Sequence, residues 1–232
     1  MTEYIIIVIL VILLPMASKI AYKRGVKKGS DDFFKLLVAF GFDSKVKAFR
    51  ALNKHATPGG TIFIGDSITQ DYPVSEWFKG LNVYNRGIGG DTTEGLLKRM
   101  DVSVYDLKPK SVICLIGTND FALLDTTPEQ VAANIERIIT LIKANDESTK
   151  IIIQSIYPVN QAIDPLTVGK RNNLLIQKTN SMLKTLQDVT YVDMYTRLSD
   201  ESGNLKKEYS HDGLHLNMDG YQVITETIRQ LL

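Results

Sequence analysis

From residue 61 onward, short apolar runs alternate with amphipathic stretches, a pattern typical of a chain in which strands alternate with helices. Short apolar runs predict buried strands at residues 61–64, 83–85, 111–116, 150–156 and 190–192. Apolar residues at helical spacing predict helices, the clearest at residues 128–144, 170–186 and 218–232. Strands that alternate with helices pair in parallel and carry helices on both faces, so the pattern predicts an α/β fold.

The first 57 residues follow a different pattern. Residues 5–17 carry no charge, and a helix from residue 4 to residue 22 would be about 28 Å long, just enough to span a bilayer. We therefore predict an N-terminal apolar helix in a single-pass membrane anchor over residues 1–30. A cleaved signal peptide and a helix lying in the membrane interface are the alternatives. Residues 31–57 predict a helical linker or leading helices before a domain over residues 58–232.

The charge of the chain is unevenly distributed. Residues 1–30 carry five basic residues against one acidic residue, a net charge of +4, whereas the remainder has a net charge of −3. A slightly acidic body argues against a nucleic-acid-binding protein, which shows a basic stripe across its fold. Because the basic residues follow the apolar run, the positive-inside rule weakly favours the cytoplasmic side for the domain.

Four short motifs lie at the ends of predicted strands or just before the last predicted helix. They read GDSIT at 65–69, NRGIGGDTT at 85–93, GTND at 117–120 and HDGLH at 211–215. The carboxyl ends of parallel strands face one crevice, where ligands bind. Motifs that are far apart in the sequence are therefore expected to meet there.

The residue types in these motifs suit the cleavage of an ester. The hydroxyl of Ser67 needs an adjacent base to act as a nucleophile, and the imidazole of His215 can be that base. Asp212 can bind the Nδ1–H of the imidazole and leave Nε2 facing the serine. The backbone N–H groups of Ser67 and Gly90 and the side-chain amide of Asn119 are candidate donors for an oxyanion hole.

Each motif alone is also compatible with a purely structural role. Gly-Asp-Ser is a common turn, and the glycine-rich stretch at 87–90 lacks the Lys-Ser/Thr of a phosphate-binding loop. The DGLH motif could also be a fragment of a metal site. His211 is a second imidazole beside that motif, for which we expect a structural or substrate-contacting role. The presence of all four motifs in this order favours catalysis.

In these four blocks the sequence resembles the SGNH/GDSL hydrolase superfamily. Within it, the chain looks like the platelet-activating-factor acetylhydrolase-like and lysophospholipase L1-like esterases, over residues from about 61 to 232. The resemblance assigns the residues of the family site to five positions, namely Ser67, Gly90, Asn119, Asp212 and His215. It implies a flavodoxin-like, three-layer α/β/α sandwich with a five-stranded parallel sheet. It also implies hydrolysis of acyl esters with neither a metal nor a cofactor.

The sequence therefore predicts a serine ester hydrolase that forms an acyl-enzyme on Ser67. The expected substrates are short to medium acyl esters of a lipid or a carbohydrate, and the expected partner is the membrane, through the N-terminal segment. The alternative function is a non-catalytic module on the same fold that binds acylated glycans. A decayed site of that kind would be expected to lack Ser67, Asn119 or His215, and all three are present.

Overall fold

The computed structural model describes residues 14–232, beginning with one long helix, α1 (Leu14–Asn53). The chain divides into two units between Gly41 and Phe42. In the first unit, large apolar side chains such as Tyr22 and Phe33 are exposed. In the second unit, Phe49 of α1 is buried in a small apolar cluster of its own. The residues predicted as leading helices are thus helical as far as Asn53.

The prediction of a single-pass membrane anchor is wrong. No helix within residues 14–232 is both long and apolar enough to cross a membrane. The reason lies in α1, which includes Lys19, Lys23 and Arg24 within its length instead of leaving them as a flank. Most of the apolar run at residues 5–17 precedes residue 14 and lies outside the described part of the chain. The N-terminal apolar helix is therefore not supported, and the assignment of the domain to one membrane side has no basis without it.

Five parallel strands form one sheet. In chain order they are β1 (Thr61–Gly65), β2 (Val83–Gly87), β3 (Ser111–Leu115), β4 (Lys150–Gln154) and β5 (Thr190–Val192). The order across the sheet is β2-β1-β3-β4-β5, which is that of flavodoxin-like doubly wound sheets. Gly65 lies opposite Gly87 on one side and opposite Leu115 on the other. The strands β1, β2 and β3 therefore end at the same level, and all five strands lie where the apolar runs predicted them.

Nine further helices and three short helical turns lie between and after these strands within residues 54–232. The helices are α2 (Ser67–Gln70), α3 (Val74–Trp77), α4 (Thr93–Leu97), α5 (Met100–Ser103), α6 (Pro128–Asn145), α7 (Pro165–Val168), α8 (Asn173–Leu183), α9 (Met194–Leu198) and α10 (Met218–Arg229). A π-helical turn covers Asp120–Leu124, and 3₁₀ turns cover Tyr105–Leu107 and Lys207–Tyr209. The predicted helices correspond to α6, α8 and α10. Helix α8 begins later than predicted because Asn172 caps it.

Strand side chains alternate between two apolar layers, one on each face of the sheet. Ile62 and Ile64 of β1 belong to a core that includes residues of α4, α5, α6 and α8. Phe63 belongs to a second core with residues of α2, α3, α9 and α10. Burial on both faces explains why each strand appears in the sequence as a continuous apolar run. The result is an α/β/α arrangement in which the carboxyl ends of the strands lie at one edge of the sheet.

Three helices at this edge begin with a side-chain cap. Asp66 Oδ1 accepts the backbone N–H of Ile68 at 3.0 Å and starts α2. Thr92 and Asn217 accept the N–H three residues further on, at 3.2 and 3.1 Å, and start α4 and α10. Such caps satisfy N–H groups that have no partner within the helix. The caps therefore determine where each helix begins beside the crevice.

Candidate active site

Ser67 is the first residue of α2 and stands immediately beyond the end of β1. Asp66 is the one residue between Ser67 and the strand. Its side chain caps the helix that begins at Ser67. The serine is half-buried. Because β1, β2 and β3 end level, the serine lies at the edge where the segments that follow β2 and β3 also begin.

Ser67, His215 and Asp212 form one chain of hydrogen bonds. Ser67 Oγ lies 2.9 Å from His215 Nε2, and Asp212 Oδ2 lies 2.7 Å from His215 Nδ1. A carboxylate can only accept, so His215 carries its proton on Nδ1 and leaves Nε2 free to accept the serine proton. The structure thus brings together the three side chains that the motifs suggested as nucleophile, base and orienting carboxylate.

Asp212 is held in its charged form by hydrogen bonds. Its Oδ1 accepts the backbone N–H groups of Leu214 at 2.9 Å and of His215 at 2.8 Å. Partial burial acts to raise the pKa of Asp212, but the hydrogen bonds from the His215 side chain and from both N–H groups outweigh it. The pKa therefore lies below its usual value. A permanent negative charge at this place stabilises a positive imidazole.

A buried ion pair fixes the loop after β2. Gly90 has a φ of +73°, which favours glycine, and the next residue is Asp91. Arg99 Nη2 lies 2.7 Å from Asp91 Oδ2, and both side chains are buried. Arg99 also donates to the backbone carbonyls of Gly65 at 2.9 Å and Arg86 at 2.7 Å. One side chain therefore joins the ends of β1 and β2 to the loop that contains Gly90.

Asn119 follows β3, and both ends of its side-chain amide are bound. Its Nδ2 donates to the backbone carbonyl of Asp91 at 2.9 Å, which links it directly to the residue after Gly90. Its Oδ1 accepts a hydrogen bond from Arg171 Nη2 at 2.5 Å. The second and third motifs therefore meet, although β1 lies between the two strands that they follow. Arg171 belongs to none of the four motifs.

Asp66 and Arg171 are two buried titratable residues that the sequence does not indicate as site residues. Burial raises the pKa of Asp66 to about 7, while the N–H of Ile68 and the charges of Arg171 and His215 act in the opposite direction. Burial also lowers the pKa of Arg171, which the charges of Asp66 and Asp212 oppose. The positive charge of Arg171 therefore acts to lower the pKa of Asp66, and the negative charge of Asp66 acts to raise the pKa of Arg171. A positive charge on His215 also acts to lower the pKa of Asp66.

The sequence marks the position of Asp66 more clearly than that of Arg171. Arg171 lies between α7 and α8, where no motif or periodicity marks it. Asp66 stands in the middle of the GDS motif, which is typical of a common turn, although an acidic residue before a helix is a recognisable cap. His211, the other imidazole considered, is exposed on the surface. The histidine that contacts Ser67 is His215.

Comparison with known proteins identifies the family. The model of the GDSL-like Lipase/Acylhydrolase family matches residues 63–223, a range that contains all five predicted site residues. The alpha2 subunit of platelet-activating factor acetylhydrolase IB from Rattus norvegicus is 31% identical over 176 residues. These residues cover 74% of this chain and 75% of that protein.

Solved structures extend the likeness to the fold. A structure from Streptococcus pneumonia, described as a platelet activating factor, has 31% identity and a TM-score of 0.81 and covers 88% of this chain and 98% of its own. A GDSL-like lipase from Bacteroides thetaiotaomicron has 25% identity and a TM-score of 0.69, covering 80% and 96%. An esterase family does not support the alternative of a non-catalytic glycan-binding module. The chain belongs to the GDSL-like lipase/acylhydrolase family and is a carboxylic-ester hydrolase.

Proposed function

We propose that this protein hydrolyses short to medium acyl esters of a lipid or a carbohydrate through an acyl-enzyme on Ser67. The observation that carries the proposal is the chain of hydrogen bonds from Ser67 through His215 to Asp212, with distances of 2.9 and 2.7 Å. A hydroxyl becomes a useful nucleophile when a base stands within hydrogen-bond reach and a third group orients that base. His215 lies within this reach of Ser67, and the contact between His215 and Asp212 supports the orienting role of Asp212.

The reaction follows from the positions of the protons. His215 Nε2 takes the hydroxyl proton while Ser67 Oγ bonds to the carbonyl carbon of the ester, and the carbonyl oxygen becomes an oxyanion. Collapse of this intermediate breaks the bond to the alcohol, which leaves with the proton from His215. A water molecule, deprotonated by His215, then attacks the acyl group. The acid leaves, the proton returns to Ser67, and Asp212 stabilises the imidazolium in both halves.

We propose that three N–H groups donate hydrogen bonds to the oxyanion. They are the backbone N–H groups of Ser67 and Gly90 and the remaining N–H of Asn119. One N–H of the Asn119 amide is occupied by the carbonyl of Asp91, so the other is free for the substrate. The connection between Asn119 and the residue after Gly90 supports a common target for these two donors. Preorganised donors of this kind are most effective where the charge develops.

The acyl range and the alcohol are inferred from relatives. Platelet-activating factor acetylhydrolase IB, by its name, hydrolyses an acetyl group from platelet-activating factor. This name supports the short end of the acyl range and a lipid alcohol. The substrate test described below therefore compares a lipid ester with a carbohydrate ester.

The nucleophile is tested by substitution and by covalent labelling. Ser67→Ala should abolish nearly all hydrolysis of p-nitrophenyl acetate, and a fluorophosphonate probe should label the wild-type enzyme at Ser67 only. The matched control is Ser181→Ala, which removes an exposed hydroxyl from α8 and should retain wild-type activity. Labelling at another residue, or an active Ser67→Ala enzyme, would contradict the assignment.

The assignment of His215 as the base is tested by comparing substitutions of His215 and of the nearby His211. His215→Ala should lose activity to the same extent as Ser67→Ala, because the two groups act as a unit. His211→Ala removes the exposed histidine four residues earlier and should leave the rate within about twofold of wild type. Equal losses in the two histidine variants would show that the base has not been identified.

The substrate range is tested with a series of p-nitrophenyl esters from acetate to decanoate. The value of kcat/KM should be highest among the short esters and fall toward decanoate. An acetylated lysophospholipid and an acetylated xylose derivative should then be compared at equal concentration. A steady rise in kcat/KM toward the longest ester would overturn the proposed acyl range but not the assignment of Ser67.

A further inference from the structure

Arg171 is a buried cation at the amide of Asn119. Only 9% of the residue is exposed. Its Nη1 donates to the backbone carbonyls of Val168 at 2.9 Å and Thr167 at 3.1 Å. Its Nη2 donates to Asn119 Oδ1 at 2.5 Å. Among residues 14–232, no carboxylate lies within ion-pair distance of its guanidinium. The amide of Asn119 is therefore the one side chain in that part of the protein that receives a hydrogen bond from this charge.

The donors and acceptors around Asn119 permit only one orientation of the amide. A guanidinium can only donate, so the atom facing Arg171 must be Oδ1. A backbone carbonyl can only accept, so the atom facing Asp91 must be Nδ2. With the amide bound at opposite ends, its plane cannot rotate without the loss of a hydrogen bond. The second N–H of Nδ2 is thereby left pointing in a fixed direction.

The charge of Arg171 also acts through the amide. A hydrogen bond from a cation is stronger than one between neutral groups, and successive hydrogen bonds polarise one another. A positive group at Oδ1 draws electron density from the amide and makes its N–H groups more positive. In a buried environment this effect is screened less than in water. The remaining N–H of Asn119 becomes a better donor to a negative oxygen than the amide of an unsupported asparagine.

We propose that Arg171 is a positioning residue that orients and polarises the amide of Asn119 as an oxyanion donor. The inference rests on the proposed function, in which Asn119 binds the oxyanion. Arg171 does not touch the reacting atoms in this scheme. Its contacts with Thr167 and Val168 connect the amide to the segment around α7, so the conformation of that segment also affects the donor.

A double-mutant cycle tests whether Arg171 acts through Asn119. For p-nitrophenyl acetate, Asn119→Ala should lower kcat by about 10²–10³-fold, the usual effect of removing one such donor. Arg171→Met should lower kcat by about 10–100-fold with little change in KM, because the donor is weakened but still present. In the Asn119→Ala background the same Arg171→Met change should cost less than about threefold, because the group it acts through is gone. Arg171→Lys keeps a charged donor and should recover part of kcat.

The matched control is Lys170→Met. Lys170 is the neighbouring cation, but it is exposed and forms an ion pair with Asp125 at 2.8 Å. Its removal should leave kcat and KM near wild type, which separates the specific contact from a general loss of positive charge. If Arg171→Met does not fold, as judged by its melting temperature, the same cycle is run with Arg171→Lys.

Three results would overturn the inference. Equal losses from Arg171→Met in both backgrounds would show that it acts independently of Asn119. A raised KM with an unchanged kcat would instead make Arg171 a substrate contact. A normal kcat for Asn119→Ala would remove the oxyanion role of that residue and the basis of this inference with it. Only this last result would also change the proposed function, by removing Asn119 as an oxyanion donor. The acyl-enzyme on Ser67 is tested separately by Ser67→Ala.

Discussion

The buried carboxyl of Asp66 makes a prediction about stability that is independent of activity. The residue is 1% exposed. Its Oδ1 caps α2 through the N–H of Ile68, whereas Oδ2 has no hydrogen-bond partner among residues 14–232. Burial raises the pKa of Asp66 from its ordinary value of 3.8 to about 7. The perturbation is Asp66→Asn, which keeps the capping oxygen and removes the titration.

The sign of the effect follows from proton binding. Between about pH 4 and pH 7 the unfolded chain has lost the proton of Asp66, whereas the folded protein still holds it. Stability therefore falls as the pH rises through this range, because ionisation favours the unfolded chain. A pKa difference of about three units corresponds to about 4 kcal/mol, at about 1.4 kcal/mol for each unit. Relative to wild type, Asp66→Asn should gain up to about this amount between pH 4 and pH 8.

The assay is urea unfolding at a series of pH values, with the free energy of unfolding extrapolated to water. Subtracting the wild-type curve from that of Asp66→Asn cancels the other titrating groups. The control is Asp71→Asn, which removes an exposed carboxylate at the end of α2 and should give a small difference at every pH. A flat difference for Asp66→Asn, or one that declines as the pH rises, would refute the reasoning.

Three further substitutions test the supports of the site. Asp212→Asn should lower kcat by about 10³–10⁴-fold in a steady-state ester assay, because the imidazole loses the acceptor that fixes its tautomer. Arg99→Met should destabilise the protein by about 3–5 kcal/mol in urea unfolding, since the carboxyl of Asp91 would remain buried without its ion-pair partner; restoration of stability by adding Asp91→Asn is the check. Gly213→Ala should cost about 2 kcal/mol or more, because φ is +77° and a Cβ would lie 2.3 Å from a backbone oxygen. Gly89→Ala, where a Cβ meets nothing closer than 3.7 Å, should be nearly neutral.

The sheet could be predicted because each strand carries its own signal. A strand buried on both faces appears as a short apolar run, and residues 61–64 and 111–116 show this without reference to the rest of the chain. The meeting of Ser67 with His215 could be predicted for a related reason. Ser67 follows a strand end at the edge where ligands bind, and His215 lies just before the last helix, so that the two meet although 148 positions separate them.

The N-terminal prediction failed because hydropathy over a short run does not show where a helix ends. The run at residues 5–17 is apolar, and the basic residues after it resemble the flank of a membrane anchor. In the structure, helix α1 continues through Lys19 and Arg24 as far as Asn53. A helix boundary depends on caps and on packing against other elements, and neither is contained in the apolar run itself.

Arg99 and Arg171 show what motifs leave out. Arg99 pairs with the carboxylate of Asp91, the carbonyl of Asp91 accepts from Asn119, and the amide oxygen of Asn119 accepts from Arg171. This is one continuous chain of contacts with a buried cation at each end. The two arginines lie 8 and 52 positions from the residues they hold, at distances that only the folded chain determines. A protein that keeps all four motifs but loses Arg171 would therefore retain its nucleophile and base, while the amide that we propose as the oxyanion donor would lose one of its two partners. Loss of Arg99 would act less directly, by removing the ion pair of Asp91, whose carbonyl is the other partner.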